Sequence, residues 1–446
     1  MRRMSVSAAF PALALSLILG GAVFDSLARA DQALERALAD SNVNQQYLVE
    51  SVSISGVEVA RFHDAKLSPS LRRRLAALVG APCDMKTIGD LAGKLRSTLR
   101  LQEVQQHLLR GSSPDRVRVD FEAVRKDYGF DLSVPRFLYN SSQGWTTEVN
   151  SNMRFREHSL AVGLGSNGDD LTERFTGFST FYQDSHVFSD QIRFGLAIEG
   201  YHDLWNPSTR LAANDSAPGA SNALALYRTR RNIAPALTFA LSRELTVSVG
   251  ASFERMEMEA PSPAGNDMST SANAATADVV FGYTAEGDDT VQRWDGRYGI
   301  RIATHDLGSD YVYRRQKVSL RYQWKSGRHV VADQMTAGAI TGQAPLFERF
   351  VLGNSSTLQG WDHYSLDPLG GDRMVHNAVS YGYQIGQNTA ELFYDAGFIG
   401  NGNGDRLGTL RHSLGVGFRQ GIFNVAMAFP LSDGRLAAVF MAGMNY

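Results

Sequence analysis

From residue 129 onward, apolar and polar positions alternate in runs of about ten residues, the pattern of strands with one face in lipid and the other in water. Ile192, Phe194, Leu196 and Ile198 alternate with Gln191, Arg193, Gly195, Ala197 and Glu199. Val318, Leu320, Tyr322 and Trp324 alternate with Lys317, Ser319, Arg321, Gln323 and Lys325, setting a row of aromatics against a row of cations. Strands of a soluble sandwich also alternate, but they are shorter, about 5–6 residues, and seldom carry two such rows. The links give a second test. Short ones at Arg156–His158, Ser242–Arg243, Glu286–Asp289, Ser326–Arg328 and Gly386–Asn388 alternate with long ones at His202–Arg228, Met258–Ala272 and Gly342–Asp372. Transmembrane barrels have short periplasmic turns and long outer loops. The expected fold is therefore all-β, a transmembrane antiparallel β-barrel over residues 129–446 with about sixteen strands if Asp131–Tyr139 is the first. Pro135 removes a ladder donor from that strand, so its pairing with the last strand, Arg435–Tyr446, should form a weakened seam.

The pattern is different over residues 47–125. Val49, Val52, Ile54 and Val57 form a strand-like run, and Ser68 followed by Pro69 starts a helix with Leu71, Leu75 and Leu78 on one face up to Gly80. Thr87–Asp90 reads as the start of a second helix carrying Leu91, Leu95 and Leu99, and strands at Val104–Leu109 and Val117–Phe121 close the unit. The expected order is β-α-α-β-β. Before it, residues 1–30 read as a signal peptide: Met1-Arg2-Arg3, an apolar run from Ala8 to Phe24, and Ala28-Arg29-Ala30 before Asp31. Residues 31–46 read as a linker or short helix.

Composition narrows the chemistry. A net charge of −2 singles out no partner class, no nucleic-acid partner is expected, and the single Cys83 excludes both an internal disulfide and a thiolate zinc cluster. The sequence has no G-x-S-x-G or H-E-x-x-H motif, so neither catalytic residues, nor a metal, nor a cofactor is expected. Gly400–Asp405 reads as an outer loop rather than a calcium turn.

The most distinctive stretch is the polar loop Arg349–Asp372 with Leu358-Gln359-Gly360-Trp361 at its centre, followed by Phe393-Tyr394-Asp395-Ala396-Gly397 and Leu414-Gly415-Val416-Gly417-Phe418-Arg419. These resemble the inward-folded sixth loop, the F-x-D-x-G strand and the following strand of the BamA/TamA and two-partner-secretion superfamily of outer-membrane proteins. The β-α-α-β-β unit resembles the POTRA domain that precedes the barrel in that superfamily. The resemblance implies that the loop tip meets Asp395 in the lumen, with Phe393, Gly397, Gly415, Gly417 and Arg419 on the same inner face. In the superfamily an arginine at the loop tip pairs with this aspartate; here the position is Gln359, which cannot neutralise a carboxylate, leaving Arg349, Arg373 or Arg419 to supply the charge. The implied function is insertion of barrel proteins into the outer membrane or secretion of a client chain across it. The implied partners are an unfolded client in the periplasm, outer-membrane lipid and accessory lipoproteins. A passive pore and a barrel enzyme are the alternatives.

Overall fold

The computed structural model describes residues 46–55, 69–99, 103–124, 128–167, 174–189, 191–215, 226–259, 269–287, 289–401, 408–431 and 438–444. The expected signal peptide, residues 31–45 of the expected linker, and the final aromatic Tyr446 lie outside them. The chain divides into two compact units, Met1–Lys126 and Asp127–Tyr446.

In the first unit, β1 (Leu48–Ser55), α1 (Pro69–Leu78), α2 (Met85–Leu99), β2 (Glu103–Arg110) and β3 (Arg116–Val124) follow the expected order. The sheet runs β1-β3-β2, with β1 parallel and β2 antiparallel to the central β3. Val119 and Phe121 are fully buried against Leu71, Leu78, Ile88, Leu91 and Leu95, so one sheet face and one stripe of each helix form the core. Cys83 is buried there as a small apolar group. The second helix starts earlier than the sequence suggested. Its cap is Asp84, whose carboxylate accepts from the Thr87 hydroxyl (2.5 Å) and from the Lys86 and Thr87 N–H groups (3.1 Å each). These bonds, the Thr87 hydroxyl first, hold the Asp84 carboxyl below the usual carboxylate range.

The second unit is a closed antiparallel barrel. Its strands are β4 (Tyr128–Asn140), β5 (Gly144–Phe155), β6 (His158–Asn167), β7 (Arg174–Asp184), β8 (Ile192–Leu204), β9 (Tyr227–Ala240), β10 (Leu245–Met258), β11 (Ser269–Ser271), β12 (Ala274–Glu286), β13 (Thr290–Ala303), β14 (Tyr313–Ser326), β15 (His329–Gly342), β16 (Arg373–Ile385), β17 (Asn388–Gly400), β18 (Arg411–Gln420), β19 (Phe423–Pro430) and β20 (Val439–Met444). The three-residue β11 and β12 both pair with β10 and form one stave, so the wall has sixteen. Among the described residues no helix is long and apolar enough to cross a membrane.

The wall is uneven. β13 and β14 pair over fourteen residues each, Thr290–Ala303 against Tyr313–Ser326. Closure between β20 and β4 rests on four pairs, Phe137–Asn140 against Met441–Met444, the shortest ladder between neighbouring staves among the described residues. Pro135 has a visible effect, because the β4–β5 register shifts between Ser133 and Arg136. Tyr128, Phe130 and Leu132, on the part of β4 beyond the shift, are 69%, 69% and 64% exposed. On the inner side, a small apolar cluster of Leu138, Phe393, Ala428, Val439 and Met441 spans the seam.

Candidate functional site: the inward loop and its anchors

The segment between β15 and β16 folds back inside the wall. Phe350, Leu352 and Leu358 are at most 2% exposed and join Leu346, Tyr227, Met256, Tyr313 and Met374 in one apolar cluster lining the long-loop end of the lumen. Two glycines on the wall make room for it. A side chain at Gly338 would collide with the Phe350 ring, and one at Gly397 would meet Leu352 Cδ1 at 3.0 Å. The glycine of the F-x-D-x-G strand thus seats a loop leucine.

The loop tip is shaped by local bonds. Asn354 Oδ1 accepts from the N–H groups of Ser356 (3.1 Å) and Thr357 (2.7 Å), closing a tight turn. Leu358 then takes φ +47° and Gly360 φ +99°. Left-handed backbone at a leucine carries strain, and it persists because the wall holds both sides of it. The Leu358 N–H donates to His376 Nε2 (3.0 Å), the Gln359 N–H to Asp395 Oδ2 (2.9 Å), and the Trp361 indole N–H to the His412 carbonyl (3.0 Å). Gly360 lies flat on the wall, where a Cβ would sit 3.2 Å from those of Ser413 and Ala428.

The predicted meeting of tip and aspartate is therefore present, with different chemistry. The Gln359 side chain turns back to the Ser355 carbonyl (2.9 Å), and the backbone reaches Asp395 instead. None of the three expected cations arrives. Arg349 binds the Gly370 carbonyl, Asn401 and Asp372; Arg373 is exposed on the strand face opposite His376; and Arg419 donates to Asn424 (2.8 Å). His376 Nε2 lies 3.9 Å from Asp395 Oδ1, but that nitrogen accepts the Leu358 N–H and so carries no proton. Asp395, 3% exposed, has no Arg or Lys within ion-pair distance among the described residues. Gly415 makes room for the Phe393 ring, while Gly417 faces Glu391 and Arg419 is exposed, so these last two residues do not serve the loop.

The charged anchor is at the loop root, at a residue that no motif marks. Glu348, 5% exposed, is ion-paired with Arg301 (Nε at 2.8 Å) and Arg315 (Nε at 3.4 Å) and accepts from the Tyr313 hydroxyl (3.2 Å). Arg315 also donates to the Glu348 carbonyl (2.7 Å) and lies over the Phe350 ring at 4.7 Å. A signal existed in the inward parity of Arg301 and Arg315, but only the register that sets them side by side brings both onto one carboxylate. A third set of contacts ties the loop to the seam strand and its hairpin. Arg136 donates to Ser355 Oγ (3.0 Å), and Gln143 Nε2 contacts the Gly353 carbonyl (2.6 Å) and His363 Nδ1 (2.7 Å). From outside, the Thr209 hydroxyl of α3 (Pro207–Asp215) bonds the Pro368 carbonyl (3.1 Å).

These features define a class, a transmembrane β-barrel whose lumen is occupied at one end by its own inward loop. The Omp85 superfamily domain matches residues 152–432, well over half of the chain, and the chain belongs to that superfamily of outer-membrane barrels, which at family level insert or secrete protein. Among solved structures it is similar to BamA from Haemophilus ducreyi lacking POTRA domains 1–3, with TM-score 0.53 and 14% identity over 89% of this chain and 84% of that one. It is also similar to CdiB from Acinetobacter baumannii, with TM-score 0.50 and 14% identity over 89% and 74%. No curated protein matches it by sequence.

Proposed function

We propose that this chain moves polypeptide into or across the outer membrane, with the first unit acting as a periplasmic POTRA-type module and the β20–β4 seam as a lateral gate. The observation that carries the reading is a seam with four pairs among the described residues, spanned on its inner side by a loop that bonds β4 on one side and β17 and β18 on the other. Among the described residues, opening it parts four ladder pairs where parting β13 from β14 parts fourteen. The loop touches both sides of it, Arg136 and Gln143 on one and His412 and Asp395 on the other. Loop and gate positions are therefore coupled: displacing the tip removes bonds that tie β4 to β17 and β18. In the first unit, β2 is an edge strand whose outer N–H and C=O groups suit pairing with an extended client. The packed long-loop end of the lumen favours a closed resting state over a passive pore.

The test locks the gate. Cysteines at Tyr139 and Ala442, directly paired across the seam, form a disulfide under oxidation. Outer-membrane and secreted proteomes are then compared by mass spectrometry between oxidised cells, reduced cells and cells lacking the gene. Loss of several barrel proteins, reversed by reductant, is the outcome expected of insertion through the seam. Loss of one secreted protein that the lock leaves untouched assigns the lumen as the route. No change in either fraction on deleting the gene overturns the reading.

A further inference from the structure

The inner face of β14 carries Arg315, Lys317, Arg321 and Lys325, with Arg301 beside Arg315 on β13. The opposite face of β14 carries Val318, Leu320, Tyr322 and Trp324, which fixes the cations on the lumen side. Two neighbouring cations of this wall are already matched, Arg293 by Asp295 (2.8 Å) and Arg297 by Asp278 (2.9 Å). Lys317, Arg321 and Lys325 are exposed to the lumen and have no ion-pair partner among the described residues, although Asp295 lies directly across from Arg321. They recur every fourth residue, about 13 Å apart along the strand, and so climb from the short turn after Ser326 toward the loop root. At the top of this row, Arg301 and Arg315 hold a carboxylate of a polypeptide, Glu348 of the chain itself.

We propose that the β13–β14 wall is a binding track for carboxylate-rich, extended polypeptide, and that Glu348 occupies its uppermost site when no such chain is bound. Unmatched cations in a water-filled lumen attract anions, and paired guanidinium groups select the planar carboxylate. An acidic segment entering from the short-turn end meets Lys325, Arg321 and Lys317 in order. At Arg315 and Arg301 it competes with Glu348 and so loosens the loop root. The track gives the proposed transport reading a substrate class, acidic client segments, and rests on that reading for its purpose.

The experiment uses the full-length protein in lipid nanodiscs and the anisotropy of a fluorescent glutamate-rich peptide, with the glutamine version of the same peptide as the comparison. At low salt the glutamate peptide is expected to bind about tenfold tighter, the sum of three weak exposed ion pairs. The difference should shrink as salt rises. The K317Q/R321Q/K325Q protein should lose the preference, and Arg321→Gln alone, the change that disturbs the wall least, should reduce it by about twofold. Equal binding of the two peptides by the wild type, or a preference that survives the triple change in protein of unaltered heat-modified mobility, overturns the proposal. Because the assay reads binding in isolated protein, its failure is separable from that of the transport reading, which the cellular proteomes decide.

Discussion

At its root the inward loop presents a carboxylate, Glu348, to two guanidinium groups, whereas at its tip it presents a backbone N–H to a carboxylate, Asp395, with no Arg or Lys within ion-pair distance among the described residues. The root is an ion pair with a hydroxyl and a carbonyl bond in support; the tip is a set of hydrogen bonds held by shape, through Gly360 on Ser413 and Ala428. The two anchors suit different tasks. A buried ion pair is costly to break on one side, because the remaining charge loses its partner. A backbone hydrogen bond and a flat glycine contact can be made and released for less. We read the root as the fixed hinge and the tip as the part that lets go.

The largest effect should therefore come from the root. Glu348→Gln keeps the size of the side chain, removes the counter-charge of Arg315, 25% exposed as a side chain, and leaves Arg301, 20% exposed, with Glu254 alone at 3.9 Å. The expected loss is about 3 kcal/mol, seen as a lower temperature for the shift from folded to unfolded mobility on a gel. An unchanged transition would show that the root carries no more than the tip.

That contrast was only half legible in the sequence. The barrel, its alternation of turns and loops, and the weak strand at Pro135 follow from period and residue type, which act locally. The loop and its target aspartate were also legible, from Leu358–Trp361 and the Phe393–Gly397 strand. What the sequence hid depends on register and backbone direction. Arg301 and Arg315 lie fourteen residues apart in number and become neighbours only through the β13–β14 ladder. Gln359 faces Ser355 rather than Asp395 because Leu358 and Gly360 turn the backbone to positive φ on either side of it. Two caps compete at the start of α2, and Asp84, three residues before Thr87, prevails because its carboxylate takes the first free N–H groups.

A middle-sized effect should come from the shape of the tip. Gly360→Val places a branched side chain at φ +99°, with its Cβ 3.2 Å from Ser413 and Ala428. The expected cost is about 1–3 kcal/mol, again read as heat-modified mobility. Combined with Glu348→Gln, it sharpens the comparison. If root and tip hold one rigid loop, the double change costs less than the two single costs together, because releasing either end forfeits part of the other. Simple additivity is the outcome the hinge reading expects, because the tip then lets go without disturbing the root; a double cost well below the sum would overturn it.

The smallest effect should come from the residue that looks most important in the sequence. Asp395→Asn keeps an oxygen to accept the Gln359 N–H and replaces a buried carboxyl that no Arg or Lys among the described residues pairs with. Were the tip held by an ion pair, this change would strand its cation at a cost of about 3–5 kcal/mol. Here it should alter stability by less than about 1 kcal/mol, while Asp395→Ala, which strands the Gln359 N–H, should cost about 1–3 kcal/mol. The ordering of the two variants is the informative result. Equal and large losses in both would mean that the negative charge itself is needed at the tip, and the division of the loop into a charged root and a neutral tip would have to be abandoned.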